Sequence, residues 1–403
     1  MLELTLSEYR KREAVELSAS DRDVLADRAS VTVVPSLGRE GAYDLTPGST
    51  VGVLQTGTLS LEIRPKLPID RVLFLISYAL DIKKFGPEDF RFGDAPDLFE
   101  AMIPGFVAQV RRAFRRGLLR GYRVEEEALH GVRGRIRFND QIRDRFGIFP
   151  PVEVSYDDFT EDTEMNRLIK AAIVRLGRMR IRSRDARTRL RAFDRVLGQV
   201  TDIEYQRGAI PDFSFNRLNR HYEPAIRLAQ LILRSTSIEF SRGGVRSSSF
   251  LVDMNKVFED FMVTALHEAL RVTGRDFPQG ASGRRMWLAG DRIRLKPDIS
   301  WWEGSRCVFV GDIKYKKTDY GIPNADLYQL LAYTIAADLP SGLLIYAQGE
   351  ENPISHTIKH VGKRLEVVAV ELSGPPDEIL AEVSKVADTV RSMRLRASRH
   401  HAA

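Results

Sequence analysis

A single cysteine, Cys307, rules out an intrachain disulfide and any cysteine zinc cluster. It sits in an apolar run, where a buried and inert thiol is expected. No apolar stretch approaches membrane-spanning length, and the longest, Val72 to Leu80, is broken by Ser77 and Tyr78. The opening Met1-Leu2-Glu3-Leu4 has no basic segment leading into an apolar one, so a cytoplasmic protein with no membrane association is expected. No G-x-x-x-x-G-K-[ST] loop occurs, so any nucleotide hydrolysis would have to come from a partner. Internal repeats, low-complexity blocks and heptad runs are also missing.

What is present is the composition of a globular protein: 43% hydrophobic and 29% charged over 403 residues, enough for two or three domains. The net charge is +6, carried mostly by arginine. Arginine makes bidentate contacts to phosphate, so the excess fits a polyanionic partner, although it is modest for this length.

The stretch richest in chemistry runs from Leu295 to Lys317. Val308, Phe309 and Val310 form an apolar run that ends in Asp312-Ile313-Lys314. On a strand, Val308, Val310, Asp312 and Lys314 share one side. Asp298, directly after Pro297, can return to the same place on a neighbouring strand. Two carboxylates converging at a strand edge make a hard-oxygen site suited to Mg²⁺ or Mn²⁺. A lysine beside them can stabilise developing negative charge, as metal-assisted phosphodiester hydrolysis requires. This is the PD…DxK arrangement of restriction-endonuclease-like nucleases. D-x-K alone describes a surface strand end with an exposed ion pair equally well, so context decides. A helix over 324–333 puts Gln329 and Tyr333 at i and i+4, and Gly342 to Tyr346 reads as a buried strand. Strand, metal strand, helix, strand is the order such a core would use.

Elsewhere, residues 1 to about 66 read as short strands in a small antiparallel sheet or barrel, with a hairpin at Gln55-Thr56-Gly57-Thr58. A helix is expected over Ile69 to Ile82. Asp97 to Arg120 reads as an amphipathic helix bent at Pro104-Gly105, with arginines at 111, 112, 115, 116 and 120. Those arginines suit either an acidic partner or a solvated helix end favoured by the dipole. Tyr122 to Leu129 and Val132 to Phe138 are strand-like, and Arg133, Arg135 and Arg137 would share one face of the second. They can serve DNA or partner contacts, or pair with Glu125 to Glu127. The acidic run 156–166 holds candidate N-caps for a helix from Thr163 to Leu176. Further helices are expected over 178–195, 217–233, 255–272 and 376–394, and a strand over 365–372. Glu259, on the 255–272 helix, is either an exposed glutamate or the extra acid that nucleases of this class draw from their first helix. The resulting division is a β-rich domain over 1–96, a mostly helical region over 97–240 and an α/β nuclease domain over 241–403.

Taken as an ordered set, several stretches resemble the McrC family, the nuclease subunit of McrBC-type modification-dependent restriction systems. They are His130 to Ile136, Phe159 to Thr163 with Asn166 to Lys170, Pro297-Asp298-Ile299, Asp312 to Tyr315, Asp326 to Leu330 with Tyr333, and Gly342 to Tyr346. The resemblance runs from about residue 65 onwards, and the first 65 residues look like the extension of longer members. It implies an α+β multidomain protein with a C-terminal PD-(D/E)xK domain built on a mixed sheet. It also implies a DNA endonuclease that works in anti-phage defence by docking on a McrB-like AAA+ GTPase or ATPase hexamer and stimulating its hydrolysis. That partner would read and translocate double-stranded, modified DNA. Asp298 and Asp312 would be the metal ligands and Lys314 the catalytic lysine, with the Ile313 carbonyl assisting. Gln329 and Tyr333 match family positions without a fixed role, and Glu259 matches none reliably. Two other readings stay open: an activator or scaffold of the AAA+ ring whose nuclease site is weak or unused, and a stand-alone structure-specific nuclease.

Overall fold

The computed structural model describes residues 1–80, 96–240, 246–280, 285–290, 292–315, 323–347 and 354–400. Lys316, Lys317 and Ile82 lie outside the described residues. The chain divides into two compact units, one made of 1–101 with 239–403 and the other of 102–238.

The first unit opens with β1 (Leu2–Ser7), β2 (Arg12–Glu16), α1 (Ala19–Ala29), β3 (Val31–Pro35), β4 (Ala42–Pro47), β5 (Thr50–Gln55), β6 (Leu59–Arg64) and α2 (Ile69–Ala79). Leu2, Leu4 and Leu6 alternate with polar residues, and Leu4 and Leu6 are buried on one face of β1. The β5–β6 hairpin forms at the anticipated turn, where Thr56 Oγ1 accepts from the backbone N–H of Thr58 and Leu59. The expectation of a purely antiparallel sheet or barrel needs correction. β1 runs parallel to β6, and β2, β4 and β3 form a sheet of their own. A parallel pair needs a long crossover, and the α1-containing insertion between β1 and β6 supplies one.

The second unit begins within α3 (Leu98–Ala113). This helix buries Phe99, Met102, Phe106 and Val110, but it stops well short of Arg120. Gly117, at φ +86°, turns the chain in a conformation that favours glycine. β7 (Gly121–Leu129), β8 (Arg135–Ile136), α4 (Phe138–Arg145) and β9 (Val152–Thr160) follow, with β9 central and antiparallel to both strands. The anticipated strand over 132–138 thus shrinks to two residues. Gly134 has φ +72°, and a Cβ there would stand 2.5 Å from the Ser155 carbonyl oxygen. α5 (Glu164–Gly177) is capped by Thr163, whose hydroxyl accepts from the Asn166 N–H. α6 (Arg184–Val196) and α7 (Glu223–Ser235) pack on α5.

The chain re-enters the first unit through β10 (Thr236–Phe240) and β11 (Arg246–Asp253). β11 pairs with β5 in a sheet ordered β1-β6-β5-β11-β10, so the two segments of this unit share one sheet. α8 (Met254–Leu270), β12 (Met286–Leu288), β13 (Ile293–Leu295), β14 (Ile299–Glu303), β15 (Arg306–Lys314), α9 (Asn324–Ala336), β16 (Ser341–Ala347), β17 (Ile354–Thr357), β18 (Arg364–Val370) and α10 (Pro376–His400) complete it. A second five-stranded sheet has the order β14-β15-β16-β18-β17. Its centre is parallel and its two edge strands are antiparallel. Because β15 alternates faces, Phe309 stacks on Phe277 and Tyr315 meets Phe258 of α8. Val310, one residue out of phase, joins the cluster with Tyr333 of α9. Asp312 and Lys314 fall on this second face.

Candidate metal centre

The site is built by register. β14 and β15 are antiparallel with Ile299 opposite Gly311, so the next step outward sets Asp298 opposite Asp312. Side chains directly opposite on an antiparallel pair share a face. Asp298 Oδ2 accepts the Ile313 N–H at 2.7 Å, which fixes its carboxyl against the end of β15. Lys314 Nζ lies 2.6 Å from Asp312 Oδ2. The pair is not a surface ion pair, because Asp312 is 1% exposed and Lys314 20%.

Electrostatics follow from that crowding. Burial, then the neighbouring Asp312 charge, holds the Asp298 carboxyl well above the ordinary carboxyl range, and the Ile313 N–H and Lys314 offset only part of it. Burial pulls Lys314 down, but Asp312, Asp298 and Asp326 outweigh it and raise the ammonium on balance. Both Asp312 oxygens are buried and accept no hydrogen bond of ordinary geometry, leaving one ammonium against two carboxyl groups. Such a pair is short of positive charge, and its all-oxygen donor set fits a hard divalent cation. Among the described residues no group of three Asp, Glu, His or Cys side chains converges. Further ligands would have to be backbone oxygen or water.

Two of the supporting candidates reach the site. The Tyr333 hydroxyl accepts from Gln329 Nε2 at 2.8 Å and donates to the Lys296 carbonyl at 3.1 Å. It is pushed up to about 12, by burial first and then by the Asp312 charge. Glu259 is drawn elsewhere, pairing with Lys256 at 3.1 Å and accepting from Gln279 Nε2 at 3.0 Å. Arg133 bonds Asp158 and stacks over Tyr156, and Arg137 bridges Glu126 and Asp140. Both therefore already have partners within the second unit.

Asp326 has no role in the reading of the sequence. Here it is buried on α9, accepts from the Tyr346 hydroxyl at 2.8 Å and acts on Lys314 through its charge. Its sequence signal was its place in the first turn of α9, one helical turn before Gln329.

Residues 45–347 match the family described as the McrBC 5-methylcytosine restriction system component. The chain belongs to the McrBC family. McrBC kinship extends to a curated relative from Escherichia coli (strain K12), the Type IV methyl-directed restriction enzyme EcoKMcrBC. It is 22% identical over 339 residues, which is 77% of this chain and 94% of that protein. Among solved structures, the half-complex of Thermococcus gammatolerans McrB AAA+ hexamers with bound McrC contains a chain that superposes at a TM-score of 0.58. Identity there is 17%, with 96% of this chain and 100% of that chain covered, a likeness of fold. The observed mixture of several sheets and helices agrees with it.

Proposed function

We propose that this McrBC-family chain is the metal-dependent DNA endonuclease subunit of its restriction complex, with a PD-(D/E)xK fold formed by the sheet of β14 to β18. The observation that carries the proposal is the β14–β15 register, which brings Asp298 opposite Asp312 with Lys314 two residues further along the same strand. Asp298 and Asp312 would hold Mg²⁺ or Mn²⁺. When bound, such an ion lowers the pKa of a water and screens the scissile phosphate. Lys314, kept protonated by its carboxylate neighbours, offers a positive charge to the phosphate oxygens. Tyr333, tied to the Lys296 carbonyl, fixes the segment that enters Asp298, and exposed Gln329 fixes the tyrosine.

The Thermococcus gammatolerans complex has McrC bound to McrB AAA+ hexamers. We carry that over as the partner of this chain, acting in the cytoplasm on modified double-stranded DNA. With no nucleotide-hydrolysing loop here, GTP or ATP would be the partner's substrate. Region 97–240 suits docking, because β7 and β9 expose Tyr122, Val124 and Phe159 while α4 exposes Phe138 and Ile142, with Phe146 exposed at its C-cap. So many exposed apolar side chains mark an interaction surface.

A scaffold without nuclease activity is favoured by one observation, the convergence of only two carboxylates among the described residues. The test is Mg²⁺-dependent cleavage of methylated duplex by the complex with motor and nucleotide. Asp312→Ala should abolish cleavage, by at least 100-fold given what single electrostatic groups contribute, while motor stimulation survives. Wild-type cleavage in that variant would leave the scaffold reading standing.

A further inference from the structure

The segment 178–195 carries arginine at 178, 180, 182, 184, 187, 189, 191 and 195, against Asp185 and Asp194 and no lysine. On α6 these positions are not scattered. Arg184, Arg187, Arg191 and Arg195 fall at i, i+3, i+7 and i+11, which is one stripe of a helix. All four are exposed, while Ala186 and Leu190 are buried. Asp185 is occupied by Arg189 at 2.7 Å, off the stripe. Among the described residues no carboxylate pairs with the four. Among those residues the one bond that any of the four guanidinium groups makes is Arg195 Nε to the Arg191 carbonyl, at 3.4 Å.

A solvated helix face ordinarily interleaves signs, because like charges at i, i+4 destabilise the helix. Arg187, Arg191 and Arg195 are spaced that way, and the one acid on their flank, Asp194, three residues after Arg191, forms no ion pair with them. Arginine in place of lysine throughout adds a planar fork that matches phosphate bidentately. The stripe runs over twelve residues, eleven rises or about 16 Å of α-helix. One strand of a duplex presents a phosphate roughly every 3.4 Å of its axis, so the stripe is long enough to follow four or five of them. We propose that the arginine stripe of α6 docks the phosphodiester backbone of duplex DNA, without reading base sequence. The choice of DNA among polyanions rests on the proposed function; the charge pattern does not.

The experiment is equilibrium binding of a 30-base-pair unmodified duplex to the full chain, in EDTA, across a potassium chloride series. Each phosphate neutralised contributes about −0.9 to the slope of log K against log salt. Arg187→Gln/Arg191→Gln should make the slope shallower by about 2. Arg187→Lys/Arg191→Lys should restore it. Should the first variant melt early, Arg184→Gln/Arg195→Gln must give the same change. A slope equal to wild type in a folded glutamine variant overturns the proposal, and loss of motor binding with that slope intact would reassign the stripe to a protein partner. Because no divalent ion is present, the readout is independent of cleavage. Failure of the nuclease reading would show in Asp312→Ala and not here.

Discussion

Asp298 and Asp312 are the two side chains that decide how this chain is understood, and both were legible in the sequence as P-D and D-x-K. Glu8 was not. It lies in a short polar segment with no motif, yet it is 3% exposed and its Oε1 has no hydrogen-bond partner. Its other oxygen accepts from the Lys66 N–H at 3.0 Å and from the Tyr315 hydroxyl at 3.4 Å, one residue beyond Lys314. Burial raises Glu8 from 4.5 to about 7 against the opposing pull of Lys66. The folded state therefore holds this proton where the unfolded chain has released it. Stability contributed by the protonated form is complete below about 4.5 and falls as pH rises to about 7. Glu8→Gln should remove that dependence, so relative to wild type it gains on the order of 3 kcal/mol between pH 4.5 and 8. Urea unfolding of both proteins at the two ends of the window checks this, and parallel pH profiles would contradict it.

At the level of elements, local chemistry was readable and long-range pairing was not. The Thr163 cap, the β5–β6 turn, the apolar face of α10 and the end of β15 each declare themselves within a few residues. The pairing of β1 with β6, and of β5 with β11, joins segments tens to hundreds of residues apart that carry no mutual signal. Ends of elements failed where glycine intervened, at Gly117 after α3 and at Gly134 before β8. Gly52 shows how strictly one such pairing is built. Its φ is +131°, and a Cβ there would stand 2.1 Å from the Phe250 carbonyl oxygen across the sheet, well inside van der Waals contact. Gly52→Ala should thus destabilise by about 2–4 kcal/mol, since strand and backbone must separate to admit one methyl. An unchanged urea midpoint would mean that β5 and β11 do not approach as closely as described.

For the whole molecule, composition pointed to a globular protein, and the ordered motifs pointed to the family. The sequence division at 96 and 240 treated the two ends as separate bodies, whereas residues 1–101 and 239–403 cluster as one unit around shared strands. Hydrophobic periodicity reports which face of an element is buried but not which distant element covers it. The carboxylate site thus belongs to a unit assembled from both ends of the chain, and its ion-binding state should register in the melting of the whole protein. The most direct measurement is the melting temperature of the full chain with and without 5 mM Mn²⁺ (about that concentration suffices for a weak site), for wild type and Asp312→Asn. Wild type should be raised by the ion. The variant, relieved of a buried unsatisfied carboxylate, should melt no lower than metal-free wild type and be indifferent to Mn²⁺. An equal Mn²⁺ response in both would show that the ion binds elsewhere.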